Sequence, residues 1–406
     1  MMNNKNNFFK LSGKVQHYQW GGDTFIPQLL GIENPKHEPF AEYWMGAHES
    51  GPGILEGTSP ASLQQYIHDH PSVLGSYIRN TFRKLPYLLK ILDVKDMLSI
   101  QVHPDKKSAE VEFARENSSG VALNATTRNY KDDNHKPELM LALSDFWLLH
   151  GFKEPKVLKD TFTSVKELAF LDTIFDKGSY KAVYTLVMEM DQHKVNMHLD
   201  SLLSRIVPAY QEGSLRKDQA DFWAARAALT FNKGENIDRG IFSVYMLNLV
   251  NLKPGEAIFQ DAGILHAYLE GQNVEIMANS DNVLRGGLTP KHIDVRELIK
   301  HVSFGPVIPL VIDGESISVT EKIYETPAPD FQLSSINLSN GRNVKIEART
   351  TEIFFLFEGT VEVANNDKKL AFKRGEAFTA FEGAHLDIVG NNAIIFRASV
   401  PAVPGE

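Results

Sequence analysis

Two stretches of this chain read as copies of one another. Pro254-Gly255-Glu256-Ala257-Ile258-Phe259 is followed by Gly263-Ile264-Leu265-His266, and Arg374-Gly375-Glu376-Ala377-Phe378-Thr379 by Gly383-Ala384-His385. Each copy sets a turn around Gly-Glu, then a short strand, a tight glycine and a histidine. Ahead of the second copy, Ile353 to Val363 reads as an apolar strand, a turn and another strand. That succession is the grammar of a jelly-roll barrel, whose antiparallel strands form a double sheet, here with the histidine reaching inward. The repeat therefore predicts a mainly β chain with two such barrels.

The rest of the chain is organised around them. At 406 residues it is too long for one ordinary core. Residues 1–150 mix short alternating strands with turn signals. One helix is expected from Ala61 to Phe82, opened by Pro60 and striped by Leu63, Ile67, Val73, Leu74 and Ile78. From about Glu154 to Ala228 the spacing is helical, as in Val157, Phe162, Val165, Leu168 and Leu171, then Leu202, Leu203, Ile206, Val207 and Tyr210. Gln211-Glu212-Gly213-Ser214 interrupts it as a turn. Strand patterns are expected again at Ile241–Leu247. These shifts predict three units: residues 1–152 with 236–308, a helical insertion at 153–235, and a C-terminal barrel at 309–406.

Charge and composition exclude several classes. The formal net charge is −9, which argues against nucleic acid as the main partner. No apolar run is long enough to cross a bilayer. The polar start, Met1 to Asn7, lacks a signal-peptide core. The absence of cysteine rules out disulfides and fits a reducing compartment, so a cytoplasmic location is expected. Nothing in the sequence fixes the oligomeric state, and a monomer is the working expectation.

Chemistry gathers in Gln101-Val102-His103, Asn134-His135-Lys136-Pro137-Glu138 and the distant His266. Without cysteine, a metal here must be bound by nitrogen and oxygen, which zinc accepts. Leu98 to His103 alternates like a half-buried strand, with Ser99, Gln101 and His103 on one face and Leu98, Ile100 and Val102 on the other. Lys136 and Glu138 share a face of a second strand. Pro137 cannot donate to a central ladder, so that strand should begin there or lie beside an open edge. His266 thus has Gln101, His103 and Glu138 as possible partners. His385 has no comparable block nearby and reads as a relic of the barrel turn, with the C-terminal barrel structural and without metal.

The motifs resemble those of the type I phosphomannose isomerases. The resemblance begins at Tyr18-Gln19-Trp20-Gly21 and Ala41-Glu42-Tyr43-Trp44-Met45-Gly46, and continues through Leu85–Lys90 and Ser99–Lys106. It extends over Tyr130–Glu138 and Asn279–Lys291, in family order, up to about residue 300. Gln101 stands where many cupins have a first histidine, as it does in this family. Asp261 stands where many cupins have proline.

The resemblance implies two cupin-like jelly-roll barrels flanking a helical domain. It implies one zinc per chain, held by Gln101, His103, Glu138 and His266. The implied reaction interconverts D-mannose 6-phosphate and D-fructose 6-phosphate through an enediol or enediolate, by moving a proton between C1 and C2. Arg285 occupies the position of an active-site arginine suited to stabilising that anion. His135, Lys136, Glu275 and Asp281 are candidates for the proton carrier; His135 could open the hexose ring, and Asp281 could orient Arg285. Lys90, Ser99 and Lys291 stand where the family binds phosphate, and Tyr268 and Trp20 could shape the pocket wall. Two other classes share parts of this pattern, a metal-dependent cupin oxidase and a non-catalytic sugar-phosphate-binding cupin. The lysine and arginine set argues against the first. Retention of every ligand and of Arg285 argues against the second.

Overall fold

The structure, a computed structural model, describes residues 7–177 and 179–401. Among these residues the strands form two sheets of ten strands each, paired antiparallel. The first sheet runs Ala257–Gln260, Glu138–Ala142, His266–Ala278, Tyr87–Val94, Glu42–Gly46, Lys14–Gln16. Its central strand, His266–Ala278, serves two sets of neighbours. The first part pairs with Gln101–Val102 and Phe146–Phe152, the second with Tyr87–Val94 and Glu138–Ala142.

A bend makes this possible. The register slips between Tyr268 and Glu270. Gly271 follows with φ +131°, and a Cβ there would lie 2.7 Å from the Asp145 carbonyl oxygen, so only glycine fits. The strand folds back far enough that the Tyr268 hydroxyl donates to Glu275 Oε2 at 2.9 Å, seven residues along the same strand.

The repeat is structural as well as sequential. Ala257–Gln260 and Ala377–Ala380 are four-residue strands, each followed by a long strand that starts at the histidine, His266–Ala278 and His385–Ser399. The glycines Gly255, Gly263, Gly375 and Gly383 all have φ between 78° and 92°. The repeated glutamate closes its turn in both copies: Lys253 N–H donates to Glu256 Oε2 at 2.7 Å, and Lys373 N–H to Glu376 Oε2 at 2.8 Å.

The second sheet holds Glu315–Ser316, Glu321–Tyr324, Gln332–Leu338, His385–Ser399, Glu352–Asn365 and Ala377–Ala380. Phe8–Ser12 and Ile54–Leu55 complete its edge although they come first in the chain. Ile353 to Val363 is one continuous strand within Glu352–Asn365. The expected turn is a bulge at Glu358–Thr360 around Gly359, φ +74°.

Helices fill the segment between Pro155 and Met246. Leu158, not Val157, is the inward residue of the first, and Val157 is 47% exposed. The strand expected at Ile241–Leu247 is a helix, Gly240–Met246, and strand begins only at Leu247. All seven residues of that helix are buried, and a short run apolar on every side carries no period to separate helix from strand. The helix expected at Ala61–Phe82 is three pieces: Leu63–Asp69, a 3₁₀ turn Pro71–Leu74, and Ser76–Thr81. Pro71 cannot continue a helix, and Gly75 takes φ +84°. Leu98 also leaves its expected face, packing on the cluster of Leu92, Val94 and Met140 while Ile100 and Val102 enter the helical core.

Two cores tie these parts together. Ile100, Val102, Leu265 and Leu284 pack against Tyr184, Trp223 and Phe242 of the helices. Leu89, Ile91, Leu139 and Ile276 of the first sheet pack against Phe331 and against Ile353, Phe355 and Phe396 of the second. The Tyr87 hydroxyl reaches across that seam to the carbonyls of Thr351, 2.9 Å, and Ala398, 3.0 Å. Phe355, fully buried and 6.3 Å from the Tyr43 ring, sits in it. Phe355→Ala should cost ~3–5 kcal/mol, the usual range for a buried phenylalanine, read from urea unfolding of the metal-free protein. A loss under about 1 kcal/mol would mean that the seam closes around the cavity or contributes little.

Candidate metal centre and active site

His103, Glu138 and His266 converge, with one ligand atom from each within 4.8 Å of the others. Their side chains are between 0% and 2% exposed. His103 Nδ1 lies 2.8 Å from the Asn282 carbonyl oxygen and His266 Nδ1 lies 2.9 Å from that of Ile264. A carbonyl only accepts, so both rings carry their hydrogen on Nδ1 and turn the Nε2 lone pair inward. These face Glu138 at 3.5 Å and 3.4 Å, and among the described residues His103 Nε2, His266 Nε2 and Glu138 Oε2 have no hydrogen-bond partner. Three buried acceptors without a donor are unfavourable together unless a cation lies between them. Two imidazoles and a carboxylate suit a divalent metal such as zinc.

Gln101 joins them through the ladder. It pairs with His266 on one side and Arg285 on the other. Directly opposed residues project to one face about 5 Å apart, so a two-residue strand brings three of the expected residues abreast. His150 lies opposite His266 in the next strand, and Gln260 opposite Glu138.

Lys136 closes the other side of Glu138, Nζ to Oε1 at 3.1 Å. Its strand begins at Glu138, just past Pro137, whose carbonyl accepts from Ala278 N–H at 3.1 Å. Burial works against ionising Glu138, but Lys136 and His103 outweigh it and hold the carboxyl well below its ordinary range. Burial pushes the His103 imidazole down to about 4, against the pull of Glu138.

Lys90 departs from expectation. It lies 3.0 Å from Glu275 Oε1 and 3.8 Å from Glu42 Oε2, buried over the Trp44 ring. Two carboxylates already compensate its charge, so it is a member of a balanced interior cluster, not a free cation for phosphate. Glu275 is 2% exposed and bonds both Lys90 and Tyr268. Burial raises its carboxyl above the ordinary value, Lys90 opposes this, and Glu138 and Glu42 add to it. Tyr268 is buried edge-on to Phe146, 5.3 Å between centroids. Trp20 is half-buried on the same apolar cluster and stacks on Tyr18 at 5.8 Å.

Arg285 and Lys291 are the uncompensated cations. Among the described residues neither forms an ion pair with a carboxylate, and partial burial lowers both, with Arg285 lowering Lys291 further. The Arg285 loop is fixed from two sides. Gly286 N–H donates to the Ile100 carbonyl at 2.7 Å, and Asp238 Oδ1, from the helical segment, accepts from Leu288 N–H at 2.8 Å. Ser99 is half-buried beside this loop, where Ile100 N–H donates to the Gly287 carbonyl at 3.0 Å.

Asp281 does not orient Arg285. Its Oδ1 lies 3.4 Å from His48 Nε2, and its N–H donates to Asp132 Oδ2 at 2.7 Å. Burial opposes it, but His48 holds the Asp281 carboxyl below the ordinary range. His135 turns to the C-terminal half, Nε2 to Asp330 Oδ2 at 2.8 Å. Asn282 pins the two active-site loops. Its Oδ1 accepts from Lys131 N–H at 2.7 Å, its Nδ2 donates to the carbonyls of Asp132 and Asn134 at 2.8 Å, and its own carbonyl holds His103.

Sequence reasoning missed Glu42, His48, Asp132, His150, Gln260, Asn282 and Asp330. Glu42, Asp132 and Asn282 lie inside the quoted motifs. The others have no local signal, because only the ladder and the packing of the two sheets bring them in.

The histidines give the metal-free site a pH signature. His103 and His150 are both pushed by burial from 6.5 down to about 4. The unfolded chain takes up these protons below about pH 6.5 and the native one only near pH 4. Stability is therefore full above about 6.5 and lost as pH falls toward 4, by ~3 kcal/mol for each imidazole. The Tm of chelator-treated protein should drop across that window, and a flat profile would show that these rings are not held neutral.

Residues 8–155 match the model of the phosphomannose isomerase type I catalytic domain. The mannose-6-phosphate isomerase of Salmonella typhimurium is 36% identical over 92% of this chain and 94% of its own length. That of Escherichia coli is also 36% identical, over 95% and 98%. A crystal structure of the Salmonella enzyme, bound to its substrate fructose 6-phosphate and to zinc, superposes with a TM-score of 0.87 at 32% identity, covering 98% of this chain and 100% of that one. With its own buried two-histidine, one-glutamate centre, this chain belongs to the type I phosphomannose isomerase family, the mannose-6-phosphate isomerases.

Proposed function

We propose that the protein is a zinc-dependent aldose–ketose isomerase interconverting D-mannose 6-phosphate and D-fructose 6-phosphate. One observation carries the reading: among the described residues three buried lone pairs converge without a donor, and the strand beside them presents Arg285, a cation with no ion-pair partner. Zinc is assigned to Gln101, His103, Glu138 and His266. When bound it supplies Lewis acidity toward the sugar oxygens. The two sheets are read as cupin-like jelly rolls on either side of the helical segment, the first catalytic.

The roles follow from charge and access. Arg285 keeps its proton and so acts by binding the developing enediolate. Arg285 and Lys291 together offer the phosphate dianion a site with no competing carboxylate, with Ser99 beside them as a hydroxyl donor. Lys136 stands at the edge of the ligand set, tied to Glu138, and is our choice to carry the proton between C1 and C2. Glu275 is too enclosed by Lys90 and Tyr268 for that task and instead keeps the interior balanced. His135 is our choice to open the hexose ring, and Asp281 with His48 to line the approach to it.

Conversion of mannose 6-phosphate to fructose 6-phosphate, followed by a coupled nicotinamide assay, should be lost on chelation and restored by zinc. Absence of turnover in the zinc-loaded protein would sink the isomerase reading. Arg285→Ala should lower kcat by about 10²–10³, as removal of one oxyanion donor does. Lys136→Ala should lower kcat by about 10²–10⁴, the range for a general acid–base, with zinc content unchanged. A Lys136→Ala protein with wild-type kcat would move the proton transfer to another group.

A further inference from the structure

A buried carboxylate from the segment leading into the second sheet, Asp330, reaches a residue of the active-site loop. Asp330 is 2% exposed, and its Oδ2 lies 2.8 Å from His135 Nε2. No other side-chain hydrogen bond reaches that carboxylate among the described residues. Its neighbours Ala328 and Phe331 are buried in the core that joins the two sheets, so its backbone cannot shift without opening that seam. The His135 side chain is 22% exposed, and its Nδ1 makes no hydrogen bond among the described residues.

A carboxylate with charge only accepts. The contact therefore places hydrogen on Nε2 and leaves Nδ1 with a lone pair in the neutral ring. A buried carboxylate in this position orients an imidazole, fixes its tautomer and stabilises the imidazolium that forms when the ring takes a proton. Lys136 is tied to Glu138 on the metal side, so His135 has its own, separate anchor.

We propose that Asp330 is a positioning residue for ring opening: it holds His135 with Nε2–H toward the second sheet and Nδ1 toward the sugar. This rests on the isomerase reading and on His135 as its ring-opening group. In the step, the O1–H proton passes to Nδ1 and a lone pair on O1 forms the C1=O1 bond. The C1–O5 bond breaks, its electron pair goes to O5, and the proton is returned from Nδ1 to O5. No atom is gained or lost. Asp330 touches neither sugar nor metal and acts only through the imidazole.

The test uses the full-length, zinc-loaded protein. Asp330→Asn, nearly isosteric, and Asp330→Ala should each lower kcat about tenfold or more, as loss of such a supporting contact does, while KM changes by less than about twofold. In a His135→Gln background, Asp330→Asn should change kcat by less than about twofold, because the pair acts as one unit. Variants that fold and bind zinc yet keep wild-type kcat would overturn the proposal. So would an equal loss with and without His135. Nitrogen NMR of labelled histidine gives a readout independent of turnover: His135 should carry hydrogen on Nε2 in the wild type and show mixed tautomers in Asp330→Ala. A wild-type protein holding that tautomer but converting no sugar phosphate would overturn the isomerase reading alone. One that isomerises with hydrogen on Nδ1 would overturn the positioning role alone.

Discussion

His103 Nε2, His266 Nε2 and Glu138 Oε2 face one another inside the protein with no hydrogen between them. Each buried acceptor left this way costs on the order of 1–3 kcal/mol, so the fold must force the arrangement. Backbone carbonyls do so, since Asn282 and Ile264 each take the Nδ1 hydrogen and leave the rings no other tautomer. The bend at Tyr268–Gly271 then lets one strand deliver His266 at one end and Glu275 further along. Asn282 in turn depends on the loop at Lys131–Asn134, to which its side chain makes five hydrogen bonds. The local structure near the site can be traced to keeping these three lone pairs in place until a cation fills the space between them.

Charge is arranged in two tiers around that point. Lys90, Glu42, Glu275 and Tyr268 form an interior group that satisfies its own charges and hydrogen bonds. Arg285 and Lys291 form an outer group with no anion of their own. A chain of net charge −9 repels a sugar phosphate on average, so the local field must do the recruiting. With Lys90 compensated, that field comes, on the proposed reading, from Arg285 and Lys291.

Much of this was legible in the sequence because it rests on short-range rules. The copies at residues 254–266 and 374–385 repeat the same turns because the same glycines and glutamates recur. Glu138 follows Pro137 into a strand because the proline has no N–H to give. His385 is exposed beside Glu347 and His266 is fully buried, although both close the same repeat. What escaped was set by tertiary contacts. Gly240–Met246 is helical because packing on every side, and not periodicity, decides its state. Lys90 reads as a lone lysine in an apolar run because Glu42 and Glu275 come from other strands. Phe8–Ser12 belongs to the far sheet because Ala377–Ala380 offers it an edge that no local signal announces.

Beyond the shared cores, three carboxylates carry contacts between separate elements to the site. Asp238 brings the helical segment to the Arg285 loop by accepting from Leu288 and Thr289 N–H, at 2.8 Å and 3.2 Å. Asp132 ties the loop before Glu138 to Ser280 and Asp281. Asp330 brings the second sheet to His135. Each accepts from groups on another element, so each is a point where the packing of a distant core becomes the orientation of one side chain. A carboxylate suits this task because it takes hydrogen bonds from several directions and, when buried, costs too much to leave unpaired. Neither the helices nor the second sheet needs to touch substrate to matter to the reaction. Without Asp238 or Asp330 the Arg285 loop or the His135 ring would lose its anchor, while the carbonyls of Asn282 and Ile264 would still hold His103 and His266.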